Sequence, residues 1–221
     1  MPFSDRSEAG RLLARALQRY KDKQAVVLAL PRGGVPVAAE IAQALNAALD
    51  LILVRKIGVP SQPELAMGAV ADGVPPLIVR NEDVIALAGI EEADFKEVCE
   101  AELAVIAERR RRYLGGRPPV EVAGHIAIVV DDGVATGATT RVALRAARAR
   151  GPKKLILAVP VAPSDSLAAM KQEADEIVCL EDHESFGAIG YYYANFRQIS
   201  DREVIDTLAR FAPAATHDGP R

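Results

Sequence analysis

Two adjacent carboxylates, Asp131 and Asp132, followed by a loop of small residues and hydroxyls, give residues 126–140, IAIVVDDGVATGATT, the greatest chemical capacity in the chain. Ionised carboxylates accept hydrogen bonds and carry negative charge, so the pair suits sugar hydroxyls, or a cation accompanying phosphates, better than phosphate itself. The residues after it suit the opposite charge. Successive backbone N–H groups of Ala135, Thr136, Gly137, Ala138 and Thr139 can close around an anion where a helix begins, because unpaired donors and the positive end of the helix dipole converge there. Thr136 and Thr139 add hydroxyl donors, and Gly133 and Gly137 permit approaches that a β-carbon blocks. The glycines lie four apart and no Gly-Lys-Ser/Thr follows, which excludes the dinucleotide fingerprint and the Walker A loop. The same residues also serve an ordinary strand-to-helix turn with Asp or Thr as caps.

A second set surrounds the first. Pro31-Arg32-Gly33-Gly34 follows an apolar run and precedes a helical pattern, offering another backbone anion site with a guanidinium beside it. Arg55 and Lys56 end the apolar run LILV, where cations can neutralise a diphosphate leaving group. Glu64 is the one acid in the Gly- and Pro-containing stretch 58–66 and is the candidate to take or position a proton. Residues 181–199 gather Phe186, Tyr191, Tyr192, Tyr193 and Phe196 in a chain otherwise poor in aromatics, and Phe186 or one of Tyr191, Tyr192 and Tyr193 can stack on a planar base or pack within the segment. Arg109 to Arg112 follow a helix start rich in acids, so these charges read as a match to the helix dipole. His125 and His183 lack the spacing of a metal site or triad.

The elements that must hold these residues alternate. Short apolar runs at 25–30, 51–54, 126–130, 155–161 and 177–180 read as strands buried on both faces, and AMGAVAD and PLIVR as further short strands. Helical spacing covers 5–20, 36–48, 91–114, 138–150 and 201–211, while Gly58, Pro60 and Pro63 mark 58–66 as a loop. Strands alternating with helices predict an α/β fold with a mostly parallel central sheet, its ligands beyond the carboxyl ends of the strands. At 221 residues, 50% hydrophobic and 26% charged, the chain suits one substantial soluble domain.

A net charge of −3 gives no bulk attraction for nucleic acid, so phosphate recognition has to be local. Cys99 and Cys179 form no framework or CxxC pair and read as two buried free thiols. The polar first residues and the lack of a long apolar run predict a cytoplasmic protein without membrane contact.

The string of apolar strand, two acids, three small or apolar residues and Thr-Gly-x-Thr resembles the signature of the type I phosphoribosyltransferases. The resemblance implies that Asp131 and Asp132 contact the ribose hydroxyls of 5-phosphoribosyl 1-pyrophosphate (PRPP), and in the metal role do so indirectly through those hydroxyls. It implies that residues 135–139 hold the 5-phosphate, and that Arg32, Gly33 and Gly34, with Arg55 and Lys56, hold the pyrophosphate. It further implies Mg2+, a nucleobase or similar small acceptor, and a homodimer. In family terms residues 1–211 form one domain, with a lid at 58–66, a helical insertion at 81–116 and a hood at 181–199; residues 212–221 form a tail with little to pack. Hypoxanthine-guanine enzymes of the family carry an acid where this chain has Ala135, which makes the loop more similar to the adenine type. Transfer of the phosphoribosyl group to a nitrogenous base is the expected activity. The rivals are a non-catalytic PRPP- or nucleotide-sensing regulator on the same fold, and a hydrolase using Asp131.

Overall fold

The computed structural model describes residues 2–212, so the expected tail beyond 212 lies outside the described residues. In chain order the elements are α1 (Arg6–Ala16), β1 (Ala25–Ala29), α2 (Gly34–Leu45), β2 (Ala48–Leu51), β3 (Val54–Val59), β4 (Gln62–Ala71), β5 (Leu77–Arg80), α3 (Glu82–Ala88) and α4 (Glu92–Leu114). They continue with β6 (Ile126–Val130), α5 (Ala138–Ala149), β7 (Lys154–Pro163), α6 (Ser164–Met170), β8 (Glu176–His183) and α7 (Asp201–Ala209).

Five strands form a parallel sheet in the order β2-β1-β6-β7-β8. Successive side chains of a strand point to opposite faces, so an uninterrupted apolar run requires cover on both. Val27 and Ala29 of β1, with Ile128 and Val130 of β6, face a core shared with α1, α2 and α7. Their neighbours Val26, Leu28, Ala127 and Val129 face Val142, Ala143, Leu144 and Ala147 of α5 on the other side. Local signals set the helix ends. Asp5 caps α1 by accepting from the Glu8 N–H at 2.8 Å, and α7 opens on a reciprocal Ser200–Glu203 capping box. α2 stops at Leu45, three residues earlier than its periodicity suggests, because Asn46 turns left-handed at φ 54°.

Two expectations are corrected. LILV is not one strand of the central sheet: β2 ends at Leu51, and the chain passes through Ile52 and Leu53 into β3. Arg55 and Lys56 therefore lie within a separate antiparallel sheet, β3-β4-β5. Residues 58–66 are not an irregular loop but the end of a β3–β4 hairpin that turns at Pro60 and Ser61, with Val59 opposite Gln62. Pro63 is tolerated because this part of β4 pairs only with β3; β5 reaches no further than Gly68–Ala71.

α3 and α4 lie within residues 81–116. Arg110 of α4 makes a paired bond to buried Asp50 (2.9 and 3.0 Å) and another to Asp72 (2.7 Å), tying the insertion to the sheet edge. Arg110 and Arg112 of α4 thus have individual partners and do more than complement a dipole. Cys99 is buried, but Cys179 is half-buried, which corrects the expectation of two buried thiols. No helix among the described residues is long and apolar enough to cross a membrane.

Candidate functional site

β1 has β2 on one side and β6 on the other, so the chain leaves the carboxyl ends of β1 and β6 in opposite directions and opens a crevice between them. Both anion-loop candidates begin there. The loop after β1 packs on the end of β6: the Leu30 N–H donates to the Val130 carbonyl at 2.9 Å, and the Pro31–Arg32 peptide is cis. A β-carbon on Gly33 would collide with the Asp132 carboxylate, so glycine here is a condition for bringing the loop to the acids. Gly33→Ala is expected to destabilise by about 1 to 3 kcal/mol through overpacking and to weaken sugar-diphosphate binding in the same variant. Calorimetric titration together with thermal melting checks both.

The two acids have different surroundings. Asp132 is nearly buried; its Oδ2 accepts from Arg6 Nε at 2.7 Å, and its carbonyl accepts from the Tyr193 hydroxyl at 2.6 Å. The Arg6 guanidinium lies 3.9 Å from the Phe196 ring centroid and also donates to the Arg197 carbonyl. Asp131 has no such counter-ion among the described residues: its Oδ1 accepts the Asp132 N–H, at 2.9 Å, and the side chain is half-buried in the crevice. Burial first, and the Asp132 charge second, hold the Asp131 carboxyl well above the usual aspartate range. Burial likewise pushes the Tyr193 phenol up, keeping it a neutral donor.

Beyond the acids, the Val134 N–H anchors the loop to the Val161 carbonyl at 2.9 Å, and Ser166 Oγ holds the Ala135 carbonyl at 2.7 Å. Gly137 adopts φ 74°, and no side chain caps α5 behind it. The first turn of α5 therefore presents its N–H groups without a side-chain acceptor, while Ala135, Thr136, Ala138 and Thr139 are exposed around them. Any side chain at Gly137 would also run into the Met170 methyl.

The geometry is that of an uncapped helix start, a carboxylate and a second glycine loop around one crevice. A family model for the phosphoribosyl transferase domain matches residues 6–195. The chain belongs to that family. Two Mycobacterium tuberculosis proteins, from strains CDC 1551 / Oshkosh and H37Rv, carry the provisional name phosphoribosyl transferase and are 47% identical over 221 residues. The match covers 98% of this chain and 49% of theirs, so the chain spans about half the length of the curated relatives it matches. TT1426 of Thermus thermophilus is similar at a TM-score of 0.82 and 39% identity, over 96% of this chain and all of that one. AQ2163 of Aquifex aeolicus shares the fold at a TM-score of 0.51 and 14% identity, over 95% and 87% of the two chains.

Relative to this phosphoribosyl transferase crevice, the expected cations divide. Arg32 stands 3.5 Å from Asp201, whose carboxylate also accepts from Tyr113 Oη (2.8 Å) and Arg112 (3.1 Å). Arg55 is bonded to Glu102 at 2.6 Å, and Lys56 to Glu64 at 3.1 Å. The Glu64 side chain is 97% exposed on the hairpin, with Lys56 as its partner. A small cavity of about 40 Å3 between the two anion loops is lined by Pro31, Leu53, Arg55, Ile106, Arg109 and Thr139.

Residues 181–199, expected as a hood, fold back on the acid segment. Ile189 packs where a β-carbon on Gly133 would fall. Phe186 stacks on Tyr192 at 5.0 Å between ring centroids, and Tyr192 lies against His183 at 4.6 Å, so one face of Phe186 is already used. Tyr191 is 79% exposed.

Arg6, Glu102 and Asp201 carry no signal of a site role in the sequence. Arg6 opens a helix whose Arg11 and Arg15 mark a polar face, and one more arginine at its start carries no visible sign of burial. Tyr193 is visible in the aromatic cluster as a residue that stacks on a base or packs, but not as one bonded to the acid segment.

Proposed function

We propose that the protein transfers the 5-phosphoribosyl group of PRPP to a nitrogenous base with release of pyrophosphate. The observation that carries this reading is the meeting, at one switch point of the sheet, of an uncapped helix start, a half-buried carboxylate without a counter-ion, and a second glycine loop. The first turn of α5, with Thr136 and Thr139, takes the 5-phosphate; Asp131 accepts from the ribose hydroxyls; Arg32 and the loop around Gly33 and Gly34 face the diphosphate.

The acceptor nitrogen forms a bond to the anomeric carbon while the bond to the diphosphate oxygen breaks, and that electron pair leaves on pyrophosphate. Positive charge develops on the ring in the transition state, and the Asp131 carboxylate is the group that would stabilise it. The proton of the acceptor nitrogen leaves to a base on the covering hairpin, for which Glu64 is the available carboxylate once its pairing with Lys56 opens. Closure of that hairpin would exclude water from the reacting sugar.

The residues fit a metal held chiefly by ligand oxygens. Asp132 is committed to Arg6, and no cluster of three or more His, Cys, Asp or Glu among the described residues could hold an ion by itself. A Mg2+ ion bound with PRPP would neutralise charge on the diphosphate; Asp131 is the protein group within reach of the hydroxyls beside it.

Pyrophosphate release across a panel of purine and pyrimidine bases, with PRPP and with or without Mg2+, tests the activity. Release with at least one base supports transfer. PRPP binding without release for any base would favour the sensing regulator instead. Within the same assay, Thr136→Val is expected to weaken PRPP binding about tenfold to a hundredfold, the value of one hydrogen bond to a charged group. An unchanged titration would remove the loop from the assignment.

A further inference from the structure

We infer that Arg109, carried by α4, is a cation for the departing diphosphate; this rests on the proposed transfer and names a residue of its leaving-group subsite. The cavity of about 40 Å3 links the two anion loops, since Pro31 belongs to the loop after β1 and Thr139 to the first turn of α5. Two arginines line it, Arg55 and Arg109. Arg55 is already neutralised by Glu102 at 2.6 Å, and recruiting it would strip that carboxylate of its partner. Lys56 faces Glu64. Arg109 is exposed, and no ion pair involving it is found among the described residues, whereas its neighbours Arg110 and Arg112 are committed to Asp50, Asp72, Glu108 and Asp201.

The same face of α4 also sets Arg32. Arg109 and Tyr113 are four residues apart and so lie one above the other on the helix. Tyr113 Oη holds Asp201, and Asp201 stands against Arg32. Both guanidiniums lie close enough to the Tyr113 phenol to oppose the rise in its pKa that burial causes. The helix therefore supplies one unmatched cation and braces a second beside the same loop. Pyrophosphate leaves with several negative charges, and an unmatched guanidinium can bind two of its oxygens without first breaking an ion pair.

Calorimetric titration of the full chain with inorganic pyrophosphate, PRPP and ribose 5-phosphate, each with Mg2+, tests this on the parent, Arg109→Met, Arg109→Lys and Arg111→Met. Arg111 is also exposed on α4 but does not line the cavity, so its variant controls for lost charge. Arg109→Met is expected to weaken pyrophosphate and PRPP binding about tenfold to a hundredfold, with ribose 5-phosphate changed by less than twofold. Arg109→Lys should recover part of the loss, and Arg111→Met should match the parent. Parent protein that binds PRPP, with Arg109→Met unchanged or weakened equally for ribose 5-phosphate, overturns the role of Arg109 and leaves the proposed function standing. Parent protein that binds neither PRPP nor ribose 5-phosphate overturns the proposed function itself.

Discussion

Replacing Asp131 with Asn is expected to remove most PRPP-dependent pyrophosphate release while making the ligand-free protein more stable at neutral pH. The loss follows from taking away a charge placed against a developing cation, an effect on the order of a hundredfold to a thousandfold in rate. The gain follows from the raised pKa of the Asp131 carboxyl, which burial and the Asp132 charge produce. A carboxyl raised on folding stabilises the native state through its protonated form. That contribution is complete below the unfolded-state value of about 3.9 and is lost as pH rises through the higher folded-state value. Asn is neutral throughout, so the variant's advantage in melting temperature should be small in acid and grow toward neutrality. Melting both proteins from acid to neutral pH checks it, and a gap that does not widen would show that Asp131 carries no such penalty.

Arg6→Met should cost about 3 to 5 kcal/mol, the range for removing one partner of a buried ion pair. The side chains of Arg6 and Asp132 are only 9% and 12% exposed, so the remaining carboxylate could not regain full hydration. Methionine would keep part of the contact with Phe196, which isolates the lost charge and hydrogen bonds from lost packing. Adding Asp132→Asn to Arg6→Met should restore much of the stability, because the two changes share one interaction. Urea unfolding of the parent, both single variants and the double variant measures the coupling. A loss below about 1 kcal/mol, the value of an exposed pair, would mean that the brace does not hold the acid.

The central sheet was legible because its strands must be covered on both faces: IAIVV at 126–130 is uninterrupted and matches β6 residue for residue. The hairpin was not legible. Gly58, Pro60 and Pro63 break a strand that has neighbours on both sides, and nothing local says that residues 62–66 pair on one side only. α6 was missed because seven residues carry too little periodicity to read. In the site, the acids and both glycine loops were found from chemistry that is contiguous in the chain. Arg6 and Asp201 act through partners far away in sequence, and burial of a charged side chain leaves no mark on the residues beside it.

The brace around Asp132 also fixes when the crevice can mature. Arg6 must meet an acid 126 positions later and a carbonyl 191 positions later, while Phe3 exchanges backbone bonds with Tyr192 and Ala194. Contacts of such separation form only after the entropy of closing the long intervening chain has been overcome. During synthesis, β1, β6 and Arg6 can come together before residue 192 has emerged, but Arg6 then lacks the Phe196 ring and the Arg197 carbonyl that hold it, and Asp132 lacks the Tyr193 hydroxyl. The protein acquires its sheet and the Arg6–Asp132 pair first and the groups that fix that pair last, so a nascent chain stalled before residue 192 would be folded in outline with its acid segment still loosely held.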